Sequence, residues 1–273
     1  MGRLCIALLL FVTVWTSPAS AKEKVVEQNV DQRLQPSRLF AAARVDIGFV
    51  YFRPRLSLGY GQPFWKWVGI DANPIVSAEG VGVYGGIRAA LPNINLRAGA
   101  RWQPLTFERS LLTPKRSYVR DDIETRDGPK SKYVSLESEL TVSFKLGGGD
   151  VFSEFALTYV TGVQSGFYVY EETIRVVVEP PWVWRGRVGY SLRFLKDDAL
   201  RIGGVLEVVA VPGRTDHFFA LRGGIVASLR IRRDLQIRAL LVPVLVSRDT
   251  LGSDGGDVFL IGIRHYWATG RRR

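Results

Sequence analysis

The sequence predicts an all-β protein, an antiparallel up-and-down β-barrel that crosses a membrane with ten strands. Three observations predict it. Apolar and polar residues alternate with period two from about Ala42 to Trp267, and no comparably strong amphipathic helical stretch interrupts them. Short turns and long polar links take turns along the chain. The segments between them carry one apolar face and one face rich in arginine.

Residues 1–21 have the form of a cleaved secretory leader, with Arg3 at the basic end, Leu4 to Trp15 as the apolar stretch and Ala19-Ser20-Ala21 as the cleavage site. The chain has 273 residues, a net charge of +11 and one cysteine. That cysteine, Cys5, leaves with the leader. A cytosolic enzyme, a disulfide scaffold and thiolate chemistry are thereby excluded. Residues 22–41 form a polar periplasmic lead, 42–267 the barrel and 268–273 a basic tail. No stretch reaches the roughly 18 uninterrupted apolar residues of a membrane helix.

The strands fall near 44–60, 80–91, 93–107, 132–146, 151–161, 182–195, 199–211, 217–231, 235–247 and 257–267. The clearest places Trp182, Trp184, Val188, Tyr190, Leu192 and Phe194 opposite Arg185, Arg187, Ser191 and Arg193. Another sets Val134, Leu136, Leu140, Val142 and Phe144 against Ser135, Glu137, Glu139, Thr141 and Ser143. Short turns lie at Pro92-Asn93, Gly147 to Asp150, Lys196 to Asp198 and Arg232 to Asp234. The long links are 61–79, 108–131, 162–181, 212–216 and 248–256. An even count puts both termini on the short-turn side, as outer-membrane barrels require. An extra hairpin from Phe64 to Val76 gives the alternative count of twelve.

Alternation alone fits a soluble secreted barrel as well as a membrane barrel with its polarity reversed. The turn asymmetry favours the membrane. So do tryptophans near the strand ends: Trp65, Trp67, Trp182 and Trp184 are placed at the outer girdle and Trp267 at the inner one. Arginine facing the bilayer midplane costs about 2–4 kcal/mol, so the arginine face belongs inside. In the last strand, Gly262, His265 and Trp267 match the terminal-strand spacing read by the barrel assembly machinery, although the chain continues to Arg273. On these features the segment 42–267 resembles the bacterial outer-membrane β-barrel class. The resemblance implies export, outer-membrane residence and that machinery as a partner in biogenesis. The stretch from Gly59 to Trp65 has a character of its own, to which no activity attaches.

The inward face collects Arg44, Arg88, Arg97, Arg101, Arg185, Arg187, Arg193, Arg201, Arg222, Arg230, Arg238 and Arg264, with Asp46, Glu137, Glu139, Glu154 and Glu207. Twelve arginines and five carboxylates cannot pair one to one. One reading is a barrel filled by a salt-bridge network. The other is a narrow anion-favouring pore, because guanidinium forks suit carboxylate and phosphate. Ten strands leave little room beside so many arginines, which favours the filled interior.

Catalytic candidates are few. His217 follows Asp216 in an outer link, and loop 108–131 holds Asp121, Asp122, Glu124 and Asp127. A carboxylate–imidazole couple activating water resembles the omptin proteases, though adjacent residues such as Asp216 and His217 point to opposite faces of a strand. His265 falls on the lipid-facing phase. Asp249, Asp254 and Asp257 lack the spacing of a calcium loop, and no phosphate-binding glycine loop or other cofactor motif occurs. Nucleic acid is excluded as a partner because much of the positive charge lies on the inward face. Lys115, Arg116, Arg120, Arg126, Lys130 and Lys132 sit in and beside the longest outer loop, where phosphorylated lipid of the outer leaflet is an available anion.

Overall fold

The computed structural model describes residues 36–269 except 49–50, 78–79, 107–109, 125–126, 215–216 and 233. The leader, most of the polar lead and the last four residues lie outside the described residues. The strands are β1 (Arg38–Gly48), β2 (Tyr51–Gln62), β3 (Lys66–Ser77), β4 (Gly80–Ala90), β5 (Ile94–Thr106), β6 (Tyr133–Leu146), β7 (Gly149–Thr161), β8 (Val169–Glu171) and β9 (Val176–Val178). They continue with β10 (Trp182–Phe194), β11 (Leu200–Val211), β12 (Phe218–Arg230), β13 (Leu235–Val242), β14 (Val244–Ser247) and β15 (Asp257–Ala268). One short helix, α1 (Arg120–Ile123), lies in the longest loop.

Every neighbouring pair in the large sheet is antiparallel. The sheet closes because β1 pairs with β2 on one side and with β15 on the other. Twelve staves make the wall, with β13 and β14 forming one stave interrupted at Pro243, and β8–β9 is a separate hairpin. The count of ten is corrected to twelve at two places. The span 44–60 holds a hairpin, β1 and β2, and the link 61–79 is the strand β3. Both differences have local causes. The residues between β1 and β2 are Phe49 and Val50, which carry no turn-forming side chain. β3 carries Asp71 and Asn73, which read as loop but stand at inward positions facing a polar interior, and Pro74, a turn-type residue on its outward phase.

Twelve is also even, so both ends of the barrel wall lie on the short-turn side. β2–β3, β4–β5, β6–β7, β10–β11 and β12–β13 turn there, while the four longest connections stand at the other end. The outward phase is apolar on every full-length stave. Leu58 and Ile70 are more than half exposed, as are Leu206, Ile225 and Ile261. A surface of that kind fits hydrocarbon and not water. Replacing Leu206 by arginine is expected to cost about 2–4 kcal/mol of stability in urea unfolding from vesicles. A variant as stable as the parent would show that this face does not meet hydrocarbon.

The tryptophans divide differently from the sequence expectation. Trp182 is exposed at the outer end, edge-on to Tyr159, and Trp184 shares its phase. Trp267 is exposed at the short-turn end. Trp65 and Trp67 also lie at that end, because β3 begins there. Trp67 turns inward, buried against Phe40, Ala42 and Ala268. Gly59 makes the room: a Cβ there would stand 2.8 Å from Cε3 of Trp67. The glycines of the Gly59-Tyr60-Gly61 stretch thus serve packing and a turn, since Gly61 has φ +131°. Trp102, half exposed near the outer end of β5, joins the outer aromatic band.

Candidate functional site: the lumen and its outer cap

Period two places the carboxylates and guanidiniums of neighbouring staves side by side on the inner wall, where they share partners. Asp46 takes Arg264 (Nη2–Oδ2 3.0 Å) and Arg44 (3.3 Å). Glu139 takes Arg97 at 3.0 Å, Glu137 pairs with Arg101, and Glu154 pairs with Arg185. Glu207 accepts from Nε of Arg187 at 2.8 Å and from Nη1 of Arg222 at 2.7 Å. Near the short-turn end, Asp150 accepts from Nε of Arg193 at 2.8 Å and lies 3.4 Å from Arg201. Arg230 donates to the Asp197 carbonyl, and Arg238 lines the cavity.

Several charged residues here were not singled out from the sequence. Asp71 on β3 is buried, pairs with Arg88 at 2.7 Å and accepts from the Ser57 hydroxyl at 2.5 Å. Arg53 and Arg55 project inward from β2 beside it. In the sequence Asp150 reads as the end of a turn, and Glu171 falls in the long link 162–181. The signal for β2 and β3 was the phase flip, with apolar residues at odd positions through Val45 and Ile47 and at even ones from Phe52.

The interior is not filled. A cavity of about 880 Å³ runs through the middle of the barrel, lined by eleven arginines and six carboxylates. It shares Glu154, Arg187, Arg238 and Leu240 with a second space of about 640 Å³ at the short-turn end.

The outer end is covered. Link 162–181 enters the lumen as the β8–β9 hairpin, whose alternation gives it two apolar faces. Val169, Val176 and Val178 pack on the inner wall against Val160, Val183, Val209 and Val211. Tyr168, Tyr170 and Val177 pack against Leu112, Tyr118, Ile123 and Leu251 of two other loops. At the tip, fully buried Glu171 meets Nη1 of Arg101 at 2.8 Å, and the Arg175 carbonyl accepts from Arg222 at 2.9 Å. The run Val176-Val177-Val178 was the available signal, since three consecutive apolar residues fit a strand buried on both faces.

Arg214 pins the loops together. Its guanidinium is fully buried and grips Asp249 twice, Nη1–Oδ2 at 2.7 Å and Nη2–Oδ1 at 3.1 Å. It also donates to the carbonyls of Val177 (3.4 Å) and Arg116 (3.3 Å) and stands over the rings of Phe218 and Tyr118. Asp249 Oδ1 accepts from the Tyr118 amide at 3.0 Å. Burial pushes the Tyr118 phenol well above its usual value. Links 108–131, 162–181, 212–216 and 248–256 therefore meet at one ion pair.

Among the described residues the hydrolase candidates are not assembled. His217 is exposed, and its backbone amide donates to the Arg214 carbonyl at 2.8 Å. Asp216 lies outside the described residues, and among the described residues no carboxylate is paired with the His217 ring. Asp122 is engaged elsewhere: Lys115 Nζ donates at 2.6 Å and the Val119 amide at 2.9 Å, which together hold its carboxyl below the usual range. Asp121 and Asp127 are exposed. His265 faces outward, 4.0 Å from Asp234. Arg120 reaches Glu124 at 2.7 Å and Asp254 at 3.2 Å, so two of the basic loop residues are paired within the cap. Arg126 lies outside the described residues.

No protein-family model matches the chain, and no curated protein matches it in sequence. Solved structures do match, at low identity. The COG4313 outer membrane channel from Pseudomonas putida F1 is 11% identical with a TM-score of 0.44, over 92% of this chain and 100% of that one. The KdgM porin is 8% identical with a TM-score of 0.41, over 83% and 98%. The NanC porin is 8% identical with a TM-score of 0.40, over 85% and 98%.

Proposed function

We propose that the chain is a non-catalytic outer-membrane barrel whose lumen admits small anions. The observation that carries this reading is the cavity lining of eleven arginines against six carboxylates. Asp71, Glu171 and Glu207, just outside that lining, pair with Arg88, Arg101 and Arg187, and guanidiniums still outnumber carboxylates, so positive potential remains in a low-dielectric channel, which concentrates anions and repels cations. Residence in the outer membrane is supported by the reversed polarity of the wall. The covered outer mouth supports a narrow path for small solutes.

Reconstituted in planar bilayers under a potassium chloride gradient, the protein is expected to give a reversal potential of chloride sign. A potential of potassium sign, or a barrel that never conducts, ends the anion-pore reading. Neutralising Arg55, Arg88 and Arg97 together is expected to move the reversal potential toward zero.

A further inference from the structure

Apolar side chains meet the lumen at two levels. At the outer level Val160, Val183, Val209 and Val211 are covered by the β8–β9 hairpin. At the lower level the ladder sets Phe152 beside Gly189, Gly189 beside Val205 and Val205 beside Gly224. Val226, two residues further along the same face, stands beside Leu240. These positions share the inward phase of Glu154, Arg187, Glu207 and Arg222, so an apolar belt crosses five adjacent staves from β7 to β13. Gly189 keeps the belt smooth, because a Cβ there would collide with the ring of Phe152. Phe152, Val205, Val226 and Leu240 line the space of about 640 Å³ at the short-turn end, and all but Val205 are only half-buried. Apolar surface left facing a charged lumen is a cost that an apolar guest removes.

The same space has a cationic edge. Arg230 and Arg232, at the end of β12 and in the turn after it, both line it. Arg230 donates to the carbonyl of Asp197, and among the described residues neither guanidinium has a carboxylate within 4 Å. Arg187 and Arg201 on the same lining are committed to Glu207 and Asp150. Two more rings complete the lining: Phe64, from the β2–β3 turn, stands edge-on to Tyr266 with centroids 5.3 Å apart. The volume falls within the about 300–1,000 Å³ of small-molecule sites, which join an apolar lining to a few charged groups that fix orientation. Guanidinium forks suit a carboxylate. We propose that this space binds an aromatic monocarboxylate, its carboxylate held by Arg230 and Arg232 and its ring laid on the belt from Phe152 to Leu240. An inorganic anion would leave the belt wet, and a neutral arene would leave both guanidiniums without a counter-ion. The site rests on the anion reading for the route its ligand takes, whereas its occupancy is measured without conduction.

The test uses the full-length protein in lipid nanodiscs, titrated at neutral pH with para-fluorobenzoate and followed by fluorine NMR line width. Para-fluorobenzyl alcohol lacks the charge and fluoroacetate lacks the ring, and empty nanodiscs correct for partition into lipid. The parent is expected to bind fluorobenzoate about tenfold or more tightly than either comparison. Arg230→Gln with Arg232→Gln removes the charge-assisted bonds and is expected to weaken fluorobenzoate about tenfold while leaving the alcohol unchanged. Val226→Ser with Leu240→Ser is expected to weaken fluorobenzoate about tenfold while leaving fluoroacetate unchanged. Heat-modifiable mobility on gels confirms that each variant is folded.

Fluorobenzoate held no better than fluoroacetate or the alcohol overturns the site, and so does an affinity that survives either pair of substitutions. A parent that holds fluorobenzoate at this site but gives no reversal potential of chloride sign overturns the anion pore alone.

Discussion

Excising residues 169–178 and closing the gap with two glycines is expected to raise single-channel conductance several-fold. Val169 and Val178 are cross-strand partners, so the cut ends are neighbours and a short link spans them. The hairpin occupies the outer third of the lumen, with its tip at Arg101 and Arg222, well inside the strand ends at Thr106 and Phe218. Its removal opens the outer mouth and takes away the Glu171 carboxylate, while Arg101 and Arg222 keep Glu137 and Glu207, so the chloride preference is expected to strengthen as conductance rises. The same cut uncovers the inner-wall residues Val160, Val183, Val209 and Val211. Each loses up to about 1.5–3 kcal/mol of burial, so a lower unfolding temperature is expected as well. Unchanged conductance in a folded variant would place the constriction elsewhere.

The second large effect is at Arg214. Replacing it with methionine leaves the Asp249 carboxylate buried without its counter-ion, which in comparable sites costs about 3–5 kcal/mol. The loss falls on the cap, because the staves keep their own ladders. Amide exchange at Tyr118 and Thr250 is therefore expected to accelerate strongly, and loop 108–131 to become cleavable from outside intact vesicles. Heat-modifiable mobility of the barrel is expected to stay as it was. Changing Asp249 to leucine in the same chain is expected to recover much of the loss, since an apolar pair often replaces a buried ion pair at little cost. If the single and double variants exchange alike, the pair does not hold the cap.

The wall was legible where its chemistry alternates. From β4 to β15 the apolar phase points to lipid and the arginine phase inward, and a period of two needs no tertiary information. The sequence reading lost ground where a strand carries turn residues for reasons set by its neighbours. Asp71 and Asn73 stand in β3 because its inward positions face a polar lumen. Trp67 marks a strand end, yet its inward turn depends on Gly59 of the adjacent stave. The cap was less legible still. Arg214 and Asp249 lie in links that read as solvated, and Asp249 read as a poor calcium ligand. Only the folded chain brings the two together, across 35 positions of sequence. The filled interior expected from ten staves gives way to a cavity because twelve staves enclose a wider circle.

The cavity lining also has a consequence for the ions around it. Asp71, Glu171 and Glu207 pair with the lining arginines Arg88, Arg101 and Arg187, which leaves a surplus of two fixed positive charges in about 880 Å³, on the order of a few molar. On the anion path proposed above, the lumen would act as an ion exchanger in Donnan equilibrium. Its mobile-anion content would then follow the protein more than the bulk salt.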